Sequence, residues 1–311
     1  MIETKLTCAI SFSPITAEDK ARLEAYLFAE EERGCEFSFA NLYLWGEQSF
    51  AEMHGHLVLF SKFGERTVYP YPLGTGSKKE VLDAILADAH ARGLPCLITG
   101  VPSAAKEEIE QLYPGQFRFT SDAGTFDYVY AIDDLADLPG KKYHAKRNHL
   151  ARFAEAYPNA VTEVLTEENL PLAAQMLRMW YAERAAEDPH ADFALEREAA
   201  ERALCERVAL CLEGMILRDG EHMLAVTLGS QVSADMFDVH FEKARRGVQG
   251  AYAEINRAFA RYIREKYPSV RYLNREEDMG IEGLRQAKRS YCPLWQIEKF
   301  RAEYVGGDHA D

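Results

Sequence analysis

A chain of 311 residues with 47% hydrophobic and 28% charged side chains has the make-up of an ordinary globular protein, long enough for two domains that each bury a core. No apolar run approaches the roughly 18 residues of a membrane span, and the N-terminus lacks the basic and apolar regions of a secretory signal. A net charge of −14 opposes non-specific contact with nucleic acid or an anionic membrane, so no DNA partner is expected.

Six cysteines (Cys8, Cys35, Cys96, Cys205, Cys211, Cys292) are scattered without a C-x-x-C pair, the usage of reduced thiols in a cytoplasm. In chain order, Thr16 with acids at 18 and 19 opens a helix over about 17–32. Ser38–Trp45 follows, with Phe39, Leu42 and Trp45 on one helical face. Strands are predicted near 50–54, 56–62 and 67–71, the first two joined at Gly55 in a tight hairpin. His54 and His56 flank that turn without a third ligand, and no metal is expected. Leu73–Lys79 resembles a phosphate loop but lacks its spacing, and Ser77 reads more simply as the cap of a helix over 78–92. Strand 95–99, helix 103–113 and strand 127–132 complete a first half, and the turn-rich stretch 132–140 reads as a junction.

A basic helix, 141–157, opens the second half. From Lys141 to Arg152 it carries five Lys or Arg residues, two histidines and no acid. It is either a focused anion site or a solvated face. Strand 160–165, helices 167–184 and 195–207, and a meander of strands at 212–217, 222–229 and 233–242 come next. The glycine-rich corner Arg245–Tyr252 leads into helix 251–266, with Tyr252, Ile255, Phe259 and Ile263 at helical spacing. A short strand at 270–273, a polar loop, a small helix over 282–289 and a last strand at 294–300 end the chain. The order strand, glycine corner, helix, strand, helix, strand thus occurs twice, which predicts two similar α/β domains, residues 1–138 and 139–311.

Three segments carry candidate chemistry. A glycine corner at a helix N-terminus favours phosphate or another anion, which singles out Gly247 and Gly250. Glu276, Glu277 and Asp278 crowd one loop; repulsion would raise one pKa toward neutrality and fit it to deprotonate an amine, or the acids simply stabilise the next helix. Arg285 and Lys288 share a helix face and suit a carboxylate or phosphate. Tyr291 either donates to a developing oxyanion or fills the core. Asn256 is polar in an otherwise apolar and charged helix, and either anchors the neighbouring strand or reaches the site.

The patterns K-K-x-x-x-K-R-N at 141–148, G-A-Y-x-x-I-N-x-x-F at 250–259 and N-x-E-E-D-x-G-I-x-G-L-R-x-A-K-x-S-Y-x-P at 274–293, with F-S-F-A-N-L-Y-L-W at 37–45, resemble the phosphatidylglycerol lysyltransferase C-terminal family. The resemblance implies an α/β fold of two tandem GNAT-like (acyl-CoA N-acyltransferase) domains, with mixed central sheets flanked by helices. It also implies kinship with transferases that draw an amino acid from charged tRNA. The site is expected in the second domain, with the first domain degenerate. Glu277 or Asp278 would be the base and Tyr291 a further catalytic group, while Lys146, Arg147, Gly247, Gly250, Asn256, Asn274, Arg285 and Lys288 would bind the donor. That donor is an aminoacyl-tRNA or an acyl-CoA. The corner departs from [QR]-x-x-G-x-[GA], because Gly247 and Tyr252 occupy its outer places, and this shifts the odds away from acetyl-CoA. The rival is a non-catalytic sensor built on the same cleft.

Overall fold

Ser77 caps its helix as the spacing predicts: its hydroxyl accepts a hydrogen bond from the Glu80 N–H at 3.4 Å, and the helix runs from Lys78 to Arg92 before Gly93 turns it off at φ 67°. His54 and Gly55, both at positive φ, form the two-residue hairpin between the first long strands. Such local agreement holds along much of the chain. The computed structural model describes residues 9–29, 34–188 and 193–306; Cys8 and the end of the helix predicted over 17–32 lie outside them. The chain forms two units, Met1–Phe126 with Ile297–Asp311, and Asp127–Gln296.

The first unit contains β1 (Ser13–Pro14), α1 (Lys20–Leu27), α2 (Phe39–Leu44), β2 (Glu47–Met53), β3 (His56–Phe63), β4 (Arg66–Pro70), β5 (Leu73–Gly74), α3 (Lys78–Arg92), β6 (Leu97–Val101), α4 (Ser103–Leu112) and β7 (Phe117–Ser121). The second contains β8 (Asp127–Ala131), α5 (Ile132–Asp137), α6 (His144–Ala156), β9 (Ala160–Val164), α7 (Leu170–Glu187), α8 (Ala194–Cys205), β10 (Glu213–Asp219), β11 (His222–Gln231), β12 (Met236–Ala244), α9 (Ala251–Lys266), β13 (Tyr272–Asn274), α10 (Glu282–Arg289) and β14 (Trp295–Ile297). The last strand, β15 (Phe300–Tyr304), returns to the first sheet.

The first sheet runs β1-β2-β3-β4-β6-β15-β7, with β5 against β3; the second runs β14-β8-β13-β12-β11-β10-β9. Both are mixed, because β4–β6 and β12–β13 are parallel pairs among antiparallel ones. In the second unit Phe237, Leu273, Leu217 and Tyr130 form one core with Ile255, Phe259 and Ile263 of α9. Tyr252, predicted on that apolar face, is 44% exposed, although Ala251 and Ala253 on either side of it are buried.

The strand assignments differ from the sequence reading in two further places. The segment expected as one strand over 294–300 breaks at Glu298-Lys299, sending β14 to β8 in the second sheet and β15 between β6 and β7 in the first. The strand at 127–131 joins the second sheet, pairing with β13, so its residues belong to the second unit. Among the described residues no helix is long and apolar enough to cross a membrane.

Candidate functional site

The site begins with an interruption in a sheet. β12 pairs with β13 in parallel over Met236–Asp238 only, and the ladder stops at Asp238 opposite Asn274. Beyond Asn274 the chain follows β8 instead: the Arg275 N–H donates to the Tyr128 carbonyl at 3.0 Å and the Tyr128 N–H to the Glu276 carbonyl at 3.2 Å. The stretch of β12 from Val239 to Ala244 therefore has no β13 partner on that edge. On its other edge the register with β11 skips one residue, Leu228 facing Phe241 and Gly229 facing Val239, which makes His240 the extra residue of a bulge. Gly229 allows the close approach; a Cβ there would lie 2.2 Å from the Asp238 carbonyl oxygen.

His240 is buried, with Nε2 2.8 Å from Ser230 Oγ and Nδ1 3.2 Å from Glu276 Oε1 and 3.4 Å from Asp238 Oδ2. Glu276 holds a left-handed backbone, φ 55°, costly for a side chain of its size and fixed from several directions. Its N–H donates to Asn274 Oδ1 at 2.8 Å, and its carbonyl accepts from Lys288 Nζ at 3.0 Å as well as from Tyr128. The Glu276 carboxylate, 21% exposed, is the outward end of this chain of polar groups. Asp238, His240 and Glu276 bring ligand atoms within 4.8 Å of one another, a spacing a divalent cation could use, but here the imidazole itself lies between the carboxylates.

A second cluster gathers side chains from six segments. Glu242 of β12 accepts from Arg275 Nη2 at 2.8 Å and from Asn256 Nδ2 of α9 at 3.1 Å. The Arg275 guanidinium lies 4.9 Å from the Tyr291 ring centre and 5.7 Å from that of Tyr130. Lys146 of α6 places Nζ 3.7 Å from the Tyr291 ring centre. Burial and then the Arg275 charge push the Lys146 ammonium down to about 8, and burial pushes the Tyr291 hydroxyl up to about 12. Burial works against the Arg275 charge, yet Glu242, with Tyr130 and Tyr291, more than offsets it and holds the guanidinium protonated. Lys146 and Asn256, expected to bind the donor, and Tyr291, expected to be catalytic, thus come together around Glu242 and Arg275, which sequence reasoning missed. The signal was faint: Arg275 sits at an unspecified place in the 274–293 pattern, and Glu242 looks like any strand-end acid.

Other expected residues serve the frame. Asp278 is buried and fully engaged: Arg285 donates Nε at 2.9 Å and Nη2 at 3.0 Å, Tyr128 its hydroxyl at 2.7 Å and Gly280 its N–H at 2.9 Å. Arg285 first, with Tyr128 and Gly280, holds the carboxyl down at about 2. The expected rise toward neutrality is therefore absent at Asp278, because a guanidinium seven residues along outweighs the neighbouring acids, and Arg285 is committed to it. Lys288 is buried and donates Nζ to the carbonyls of Glu277 at 2.6 Å, Glu276 and Arg275, so it shapes the loop; the Glu277 backbone is part of that frame. Arg147 donates Nη1 to the carbonyls of Leu138 at 2.5 Å and Gly140 at 2.8 Å. Asn274 is buried and latches the end of β13 through Nδ2 to Asp127 Oδ2 at 3.0 Å.

Gly250 caps α9 at φ 91°, where a Cβ would lie 2.6 Å from the His149 carbonyl oxygen of α6. Gly247 turns the same corner at φ 77°. The arginines of that corner are paired with α7, Arg245 with Glu183 at 3.7 Å and Arg246 with Glu187.

A conserved protein of unknown function from Bacteroides thetaiotaomicron VPI-5482 is similar at 37% identity, with 95% of this chain and 99% of that one covered and a TM-score of 0.89. L-PGS from Bacillus licheniformis shares the fold at 19% identity, 92% coverage of each chain and a TM-score of 0.63. A tandem GNAT protein from the clavulanic acid biosynthesis pathway does so at 11% identity, covering 96% and 99%, with a TM-score of 0.51. No match was found among curated proteins. The α/β architecture of two mixed sheets flanked by helices is thus of the tandem GNAT type. Residues 29–303 match the family described as phosphatidylglycerol lysyltransferase, C-terminal, and the chain belongs to that family.

Proposed function

We propose that the second unit is a transferase that moves an acyl or aminoacyl group from an activated donor to an amine or hydroxyl. The observation that carries this reading is the parting of β12 from β13 after Asp238, with a bulge at His240 where the strands separate. A strand edge that has parted from its β13 neighbour offers N–H groups to the oxygen of a donor carbonyl, and fixed dipoles stabilise the charge that develops there without reorganising.

Glu276, backed by His240, takes the role that the sequence reading gave to Glu277 or Asp278. Its carboxylate is 21% exposed and lies against the His240 imidazole, whereas Asp278 is buried and held by Arg285, Tyr128 and Gly280. In the reaction the acceptor nitrogen or oxygen attacks the donor carbonyl carbon and its proton passes to Glu276. The carbonyl electron pair moves onto oxygen and returns as the bond to the leaving oxygen or sulfur breaks; the leaving group takes a proton. Tyr291, whose hydroxyl stays protonated near neutral pH, is available to donate to the oxyanion. The corner arginines lie against Glu183 and Glu187, and the corner lacks the acetyl-CoA pattern. Both favour an aminoacyl ester over acyl-CoA as donor.

The test is incubation with aminoacyl-tRNA or acyl-CoA and small amine acceptors, with products followed by mass spectrometry. Glu276→Gln should lower turnover by about 100-fold or more with an unchanged melting temperature. Full activity in that variant would sink the assignment, and ligand stabilisation without product in the native chain would favour the sensor.

A further inference from the structure

The cluster around Tyr291 is unbalanced. Lys146 and Arg275 bring two positive charges and Glu242 one negative charge, already bonded by Arg275 and Asn256. Arg275 Nη1 is buried with no hydrogen-bond partner among the described residues, although a guanidinium has five donors to satisfy. Lys146 Nζ, part-buried, has the Tyr291 ring as neighbour and makes no hydrogen bond or ion pair among the described residues. The Tyr130 hydroxyl donates to the Lys288 carbonyl at 2.9 Å, and among the described residues it makes no hydrogen bond with Arg275 Nη1. Tyr143 donates to the Tyr291 carbonyl at 2.9 Å. Leaving cationic donors buried and unmatched costs more than a typical hydrogen bond contributes, and a surplus of one positive charge is matched by a monoanion.

We propose that Lys146 and Arg275 form a binding site for a monoanionic oxyanion, a carboxylate or a phosphodiester, carried by a substrate of this unit. A doubly charged phosphate would overshoot the single surplus charge, whereas a carboxylate or a phosphodiester balances it. The low proton affinity of Lys146 fits a cluster short of one counter-ion, and binding would raise that affinity again. The groups facing Lys146 from the packed elements are Glu242 of β12, Arg275 after β13, and Tyr291 and Cys292 after α10. As an account of substrate recognition the inference rests on the transferase reading; anion binding itself is measured without turnover, so the two fail separately.

Acetate and dimethyl phosphate are titrated into the full chain at constant ionic strength against chloride, with isothermal calorimetry and the lysine Cε resonances as readouts. The expected result is saturable binding of at least one probe, an upward shift of the Lys146 titration midpoint on binding, and affinity about tenfold weaker in Lys146→Met. Preference between the two probes identifies the source of the oxyanion. Arg275→Lys keeps the charge and the Glu242 pair but loses the fork, and should weaken the preferred probe while retaining the melting temperature. Binding no better than chloride, or binding undiminished in Lys146→Met, overturns the proposal.

Discussion

Two acidic residues two positions apart, Glu276 and Asp278, have opposite fates, and their partners decide it. Asp278 meets Arg285 through two nitrogens and loses its freedom to take a proton; Glu276 meets an imidazole and stays partly exposed. Asp278→Ala should therefore lower stability at pH 7, because it removes the buried acceptor that Arg285, Tyr128 and Gly280 share; the denaturation midpoint reads the loss. The pH dependence has a definite sign. A carboxyl held near 2 when folded, against 3.8 ordinarily, contributes stability above about 4 that is lost as pH falls through 2. The difference between native chain and variant should close over that interval. An equal deficit at pH 2 and pH 7 would contradict it. The acidic run was legible in the sequence as unusual, and crowding was the natural reading. What could not be read was that Tyr128 and Arg285, 150 positions behind and seven ahead, converge on one carboxylate.

Helices were easier to foresee than strands. α3, α9 and α10 have the bounds that caps and spacing predict, because a helix is closed by hydrogen bonds within its own segment. β7 was not foreseen, although its sequence FRFTS alternates, because its partner β15 lies 180 residues further on. The bulge at His240 was equally hidden: nothing local in SADMFDVHFEKA announces an extra residue, and the register with β11 creates it. Gly229 is the one local trace. Gly229→Ala should force β11 and β12 apart or shift their register, at about 2 kcal/mol in stability and, on the proposed function, with loss of turnover. A variant that keeps both its melting temperature and its activity would show that the bulge tolerates a side chain and plays no such part.

At the scale of the whole chain, the surplus of acid and the small basic cluster around Lys146 and Arg275 are compatible because charge counts act at a distance while recognition acts in a pocket. The family and the tandem fold were legible in long motifs; the division of strands between sheets was not, since it depends on β15 crossing back to the first unit. Deleting 297–311 should leave β7 without a partner, and hydrogen exchange over 117–121 should then rise by orders of magnitude while exchange in β10 and β11 stays slow. Equal protection in both would refute the central role of β15. That strand also sets a timetable. On a ribosome, the amino-terminal half emerges first yet cannot close its sheet, because the piece that fits between β6 and β7 is translated after the entire second unit. The usual order of vectorial folding, first made and first finished, is thereby reversed. The nascent first unit waits with two strand edges uncovered, a natural client for a chaperone until β15 has been made.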